Sequence, residues 1–263
     1  SSHEGSMLFF AWLLSCSSLY SYNLMLDNRG QRLADLFIAV LLLILCLTSN
    51  PFKTIGLLPK EGIGLNPLLQ DIGLMYHPPI LYLGHSFYLP IFSHLIADNK
   101  VAKLQILQLS RLGIFFLTSG IGLGSWWAYR ELGWGGFWFF DPVENISLLP
   151  WFSAIAFHHS MLTVQKSQTI SKWAMFWGLA TFILIISGMF LIRSNLLISL
   201  HSFAIDSTKA LAISLLACGS IFLAVYKYAS FAAENHQEAT QNDNAKIVGV
   251  NFANKIWLAS IVS

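Results

Sequence analysis

Long apolar runs separated by short polar turns constrain this chain more than any other feature. They fall at about residues 7–25, 33–47, 80–96, 112–127, 148–164, 173–192 and 210–226, and a further run, about 256–263, is cut off by the end of the sequence. A helix needs about 20 apolar residues to cross a hydrocarbon layer about 30 Å thick. In that medium each backbone N–H and C=O must find its partner within the segment, so such runs dictate helices. The expected fold is all-α, a polytopic transmembrane bundle in a lipid bilayer. Hydrophobic residues are 55% of the 263 and charged residues 11%, a balance that excludes an ordinary soluble domain. A formal net charge of +2 is too small to point to nucleic acid. Cys16, Cys46 and Cys218 lie in apolar runs, form no CxxC pair and read as packing residues. The chain lacks an initiator Met and a signal peptide and stops inside the apolar stretch IWLASIVS. Residues 1–263 therefore read as one transmembrane domain cut from a longer protein.

The short loops carry Arg29 and Arg32, then Lys100, Lys103 and Arg111, then Lys166 and Lys172 on one side. The positive-inside bias makes that side cytoplasmic. Residues 50–79, 125–148 and 193–209 then face outward, although Lys53, Lys60, Arg130, Arg193 and Lys209 on that side weaken the bias. The polar stretch 227–255 reads as a mobile cytoplasmic loop. His77 stands directly before Pro78 and Pro79, a position that disfavours helix, at the mouth of the third run.

Residues 125–151 read SWWAYRELGWGGFWFFDPVENISLLPW. Trp126, Trp127, Trp134, Trp138 and Trp151 share this stretch with Phe137, Phe139 and Phe140, and Gly133, Gly135 and Gly136 interrupt the rings. One reading is an aromatic belt at the membrane interface. The other is a flat shelf for a flat ligand, in which glycines allow close backbone approach and rings supply apolar faces. The Gly-Gly pair and the acidic DPVEN tail favour the shelf. GWGGFWFFDPVEN, with LLPW after it, resembles the tryptophan-rich WWD signature of haem-handling membrane proteins, and the CcmF/CycK family of cytochrome c haem lyases in particular. The likeness runs from HEGS at His3 to LHSFAID at His201 and includes PKEGIGLNPLLQDIGLMYHPPILY.

Haem is flat and apolar, bears two propionates, and its iron takes imidazole. A shelf of Trp and Phe with one histidine above and one below would suit it. His77 and His201 are the candidates, against the alternative that each is an interfacial histidine satisfied by water. Arg130 and Arg193 lie on the correct side to meet propionates, or to anchor the interface. His158 and His159 fall near the middle of the bilayer, where an ionisable group is a functional hypothesis. The alternative there is an interhelical hydrogen bond. His85 and His94 read as structural. Glu144 reads as a helix cap, while Asp141 is either a cap or an acid–base group. The glycines of GIGLGS and KEGIGLN fit no nucleotide-binding context.

The resemblance implies more. It makes this a lyase of the cytochrome c maturation pathway called System I, which attaches haem to the CxxCH thiols of apocytochrome c. It implies haem binding at His77 and His201 beside Trp126, Trp127, Trp134, Gly135, Gly136, Phe137, Trp138, Phe140 and Asp141. It makes His159 a ligand of a membrane haem b whose second histidine lies past residue 263. The implied partners are a haem chaperone, CcmE, and maturation proteins such as CcmH. The implied location is the bacterial inner membrane with the WWD loop on the periplasmic side, or alternatively the mitochondrial inner membrane. Phe137 and Phe140 stand where the family commonly has Trp, which keeps stacking but loses an indole donor. Rival readings are a haem exporter of the CcmC type and a non-catalytic haem b electron-transfer subunit.

Overall fold

The computed structural model describes residues 3–24, 28–48, 50–52, 70–97, 102–131, 137–138, 140–163, 170–194, 196 and 207–241. Every regular element among them is an α-helix: α1 (His3–Leu24), α2 (Asn28–Thr48), α3 (Ile72–Ser86), α4 (Tyr88–Ala97), α5 (Lys103–Glu131), α6 (Pro142–Thr163), α7 (Lys172–Arg193) and α8 (Ser207–Gln241). Five segments are long and apolar enough to cross a membrane: α2, Met75–Ala97 across α3 and α4, α5, α7, and Ala210–Glu234 of α8. α1 and α6 are helices of 22 residues outside that set. Serines along α1, and Glu144, Asn145 and the histidine pair in α6, dilute their hydropathy.

α3 and α5 form the tightest seam. A Cβ at Gly84 would meet the Leu117 backbone nitrogen at 2.6 Å, and one at Gly120 would meet the Leu81 Cα at 2.8 Å. The two backbones touch because these side chains are absent, the small-residue packing typical of membrane helices. α6 and α7 are joined by hydroxyls. Ser153 and Thr181 lie 2.9 Å apart, and Thr181 also donates to the Trp177 carbonyl at 2.7 Å. Phe157, Phe182, Leu95 and Ile91 fill the centre with almost no exposure.

The α3–α4 crossing breaks at Phe87. Pro90 has no N–H to give the Ser86 carbonyl, as position i would give i−4 in a continuous helix. The Ser17 hydroxyl of α1 stands 2.8 Å from that carbonyl and 3.0 Å from its own Leu14 carbonyl. A donor from another helix thus replaces the missing one.

Several helix bounds differ from the sequence reading. His77 is inside α3, whose start is set by Asp71; its Oδ1 accepts from the Gly73 N–H at 2.6 Å. That cap outweighs the preference Pro78 imposes on the residue before it. α5 continues through Glu131 and α6 begins at Pro142, so the Trp-rich stretch is helical at both ends. α8 runs to Gln241, through part of the stretch read as a loop. Cys16, Cys46 and Cys218 are all exposed and free rather than packed inside. The run at 256–263 lies outside the described residues.

Candidate functional site

At one end of the bundle α1, α3 and α6 begin and α5 and α7 end, and a cavity of about 840 Å³ opens between them. His77, Trp127, Trp138 and Arg193 all line it. They come from α3, α5, the segment before α6, and α7.

His77 is half-buried, and its Nδ1 lies 2.7 Å from the Gly120 carbonyl oxygen of α5. Trp127 is buried, with its Cβ 3.0 Å from the place a side chain on Gly73 would occupy. The first turn of α3 therefore rests directly on the last turns of α5.

The DPVEN tail is a fastening. Asp141 is the N-cap of α6, Pro142 the first helical residue and Glu144 the third. Asp141 Oδ1 accepts from the Val143 N–H at 2.8 Å, and Glu144 Oε2 accepts from the Asp141 N–H at 3.3 Å. This reciprocal pair is a capping box with proline where its missing N–H costs nothing. Asn145 completes it: its Oδ1 accepts from Trp138 Nε1 and its Nδ2 donates to the Phe140 carbonyl, both at 3.2 Å. Phe140 has φ of 60°, a strained conformation for a non-glycine residue. The asparagine holds that turn, and with it Trp138, against the cavity wall. Asp141 and Glu144 both act as caps in this arrangement.

The two arginines differ. Arg193 is 2% exposed and its Nη2 donates to Ser6 Oγ at 3.1 Å and Tyr82 Oη at 3.3 Å. A guanidinium so placed in a cavity wall is pre-set to receive a carboxylate. Arg130 instead pairs with Asp71 at 3.0 Å and lies over the Trp126 ring at 4.6 Å. It clips the end of α5 to the start of α3, with Trp126 as a cation–π support. Trp126 and Arg130 do not line the cavity. Phe137 and Phe140 are exposed, and Phe137 stacks on Tyr129 with centroids 4.5 Å apart.

His158 and His159 point apart, their rings 6.4 Å from each other at 76°. His158 is half-buried, with Nδ1 3.2 Å from Ser110 Oγ of α5; His159 is exposed on the outer face of α6. Trp134, Gly135, Gly136 and His201 lie outside the described residues.

Sequence reasoning missed the cavity residues Tyr82 and His85. His77, Leu81 and His85 follow a helical period of four and all line the cavity. That signal disappears once His77 is read as preceding the helix. It also missed Asn145, whose offset from Trp138 has no meaning until the helix start is known.

A family described as "Cytochrome C assembly protein" matches residues 1–201. The cytochrome c-type biogenesis protein CcmF of Haemophilus influenzae is 38% identical over 255 residues, covering 90% of this chain and 39% of the relative. The protein CycK of Bradyrhizobium diazoefficiens is 42% identical over 228 residues, covering 82% of this chain and 34% of the relative. The chain thus spans less than two-fifths of the length of these curated relatives. A solved structure of a cytochrome c haem lyase, CcmF, shares the fold with a TM-score of 0.66 at 23% identity, covering 88% of this chain and 36% of that one.

Proposed function

The chain belongs to the cytochrome C assembly protein family, and from that premise we propose that it is the haem-holding part of a cytochrome c haem lyase. One observation carries the proposal. His77, Trp127, Trp138 and Arg193, far apart in sequence, line one cavity of about 840 Å³, within the usual size range of small-molecule sites. The cavity offers an imidazole for iron, aromatic faces for the ring and a guanidinium for a propionate, so its residues fit haem. Haem here is the substrate. His77 and His201 are the axial ligands, and Trp134, Gly135, Gly136 and Trp138 form the shelf. Arg193 is the propionate anchor, and Arg130 holds the site's frame through Asp71.

In the reaction, each thiol of an apocytochrome CxxCH adds its S–H across a haem vinyl group, and nothing leaves. The chain has no CxxC of its own, so both thiols come from the apocytochrome. The residues named hold the porphyrin in one orientation, and that positioning is the catalytic contribution. A CcmE-type chaperone supplies the haem and a CcmH-type partner presents the apocytochrome. The protein is placed in the bacterial inner membrane with the cavity end outward. Single cysteines at positions 126–148 in the full-length protein should react with an impermeant maleimide added from outside. Labelling only from the cytoplasmic side would reverse the orientation.

His159 is proposed as one axial ligand of a separate haem b. His158 is engaged with Ser110 whereas His159 faces outward, open to a neighbouring helix. In the full-length protein His159→Ala should remove the b-type absorption bands and His158→Ala should keep them. Unchanged bands in His159→Ala would reject the assignment.

Deleting the gene from its source should abolish covalent haem on c-type cytochromes, read by haem staining of denaturing gels. The full-length gene should restore it. Continued attachment in the deletion strain would turn the reading towards an exporter or an electron-transfer subunit.

A further inference from the structure

The glycines of GIGLGS match no nucleotide-binding context, yet two of them meet His77. Its Nδ1 is 2.7 Å from the Gly120 carbonyl oxygen. A carbonyl only accepts, so Nδ1 carries the proton, and the lone pair of the neutral ring lies on Nε2. The ring reaches that carbonyl across Gly124. A Cβ there would come within 2.6 Å of His77 Cε1 and 2.8 Å of Nδ1. Gly122, between them in the same motif, has nothing within 4 Å of its own missing Cβ.

We propose that Gly124 is a positioning residue. By leaving room for the His77 ring to donate Nδ1–H to the Gly120 carbonyl, it presents Nε2 bare to the iron of a porphyrin in the cavity. This rests on the reading of the cavity as a haem site. Metal-ligating histidines nearly always donate their other ring N–H to a carbonyl or carboxylate, and losing such an outer partner costs about 10–100-fold in metal affinity. Any added Cβ at position 124 occupies the ring's place, so the ring must swing off the carbonyl. The porphyrin face and its carboxylates are untouched by that movement. The loss should therefore fall on the iron-dependent part of binding alone.

The test uses purified full-length protein titrated with ferric protoporphyrin and, separately, with iron-free protoporphyrin. Tryptophan quenching reports both, and the Soret band reports ligation of the iron. The expected result for Gly124→Ala is an iron-porphyrin affinity about 10–100-fold lower, with iron-free porphyrin binding as in the wild type. Gly122→Ala should match the wild type in both titrations. Gly124→Ala that keeps the wild-type preference for iron and its Soret band would overturn the proposal. If Gly124→Ala fails to accumulate, the Gly124→Ala, His77→Ala double variant decides. Recovered accumulation supports the clash with His77, and continued failure places the clash elsewhere and overturns the proposal. His77→Ala separates the two levels of inference. If it keeps the iron preference, the haem-site reading fails. If it loses the preference and Gly124→Ala does not, only the role of Gly124 fails.

Discussion

The His77→Ala, His201→Ala double variant is expected to form no detectable holocytochrome c while its protein stays at normal abundance. His77 is half-buried on the cavity wall, so truncating it removes a ring without opening the centre of the bundle. The loss to function is larger. An outer partner of a metal ligand is worth about 10–100-fold, and the ligand itself should be worth at least the upper end of that range. Each single variant should already approach the double, because both histidines act on one bound molecule and their effects do not add. Trp138→Ala should weaken maturation less. Trp138→Phe should be milder again, since the stacking face survives and only the Nε1 bond to Asn145 is lost. Imidazole in the medium should partly restore a His→Ala variant by filling the vacant axial position. Haem staining with parallel immunoblots for abundance makes the measurement. Normal maturation in the double variant would reduce the shelf to an interfacial belt.

Gly84→Val should have the largest effect on the fold itself. Its Cβ would stand 2.6 Å from the Leu117 backbone nitrogen, and a backbone atom cannot rotate away as a side chain does. Overpacking a tight core commonly costs 1–3 kcal/mol, occasionally more, and here the whole α3–α5 seam must part, so about 3 kcal/mol or more is expected. His77 depends on that seam, because its Nδ1 partner is an α5 carbonyl. The variant should therefore lose most of its accumulation in membranes, and what remains should elute broadly in detergent gel filtration. Gly122→Ala, on the same helix with open space around it, should be indistinguishable from wild type. Equal behaviour of the two would show that α3 and α5 do not meet closely at Gly84.

The all-α fold was legible because hydrocarbon thickness leaves its length directly in the sequence, and the apolar runs near 33–47, 173–192 and 210–226 became α2, α7 and α8. Their ends were less legible. AAENHQEATQ is polar, and it was read as a loop, yet Ala, Glu and Gln are good helix formers and α8 passes through to Gln241. The proline pair drew attention away from Asp71, the cap that starts α3 six residues earlier. At the candidate site, His77, Trp127, Trp138 and Arg193 were visible as chemistry before their positions were known. Arg130 was not, because its partner Asp71 lies 59 residues away and only the packing of α3 on α5 brings them together. The difference between His158 and His159 is one of helical phase, which a sequence without known neighbours does not set.

The break between α3 and α4 also has a consequence in time. Its Ser86 carbonyl cannot be served from within its own crossing, because Pro90 has no proton to offer, and an unserved carbonyl is costly in lipid. The hydroxyl that serves it belongs to Ser17, which leaves the ribosome well before either partner of the break. Synthesis runs from the N-terminus, so the donor is already waiting in the bilayer when the bent crossing arrives. The bend is thus a template-dependent step of assembly: α1 is the surface on which α3 and α4 acquire their shape, and the order of the genetic message is also the order of construction.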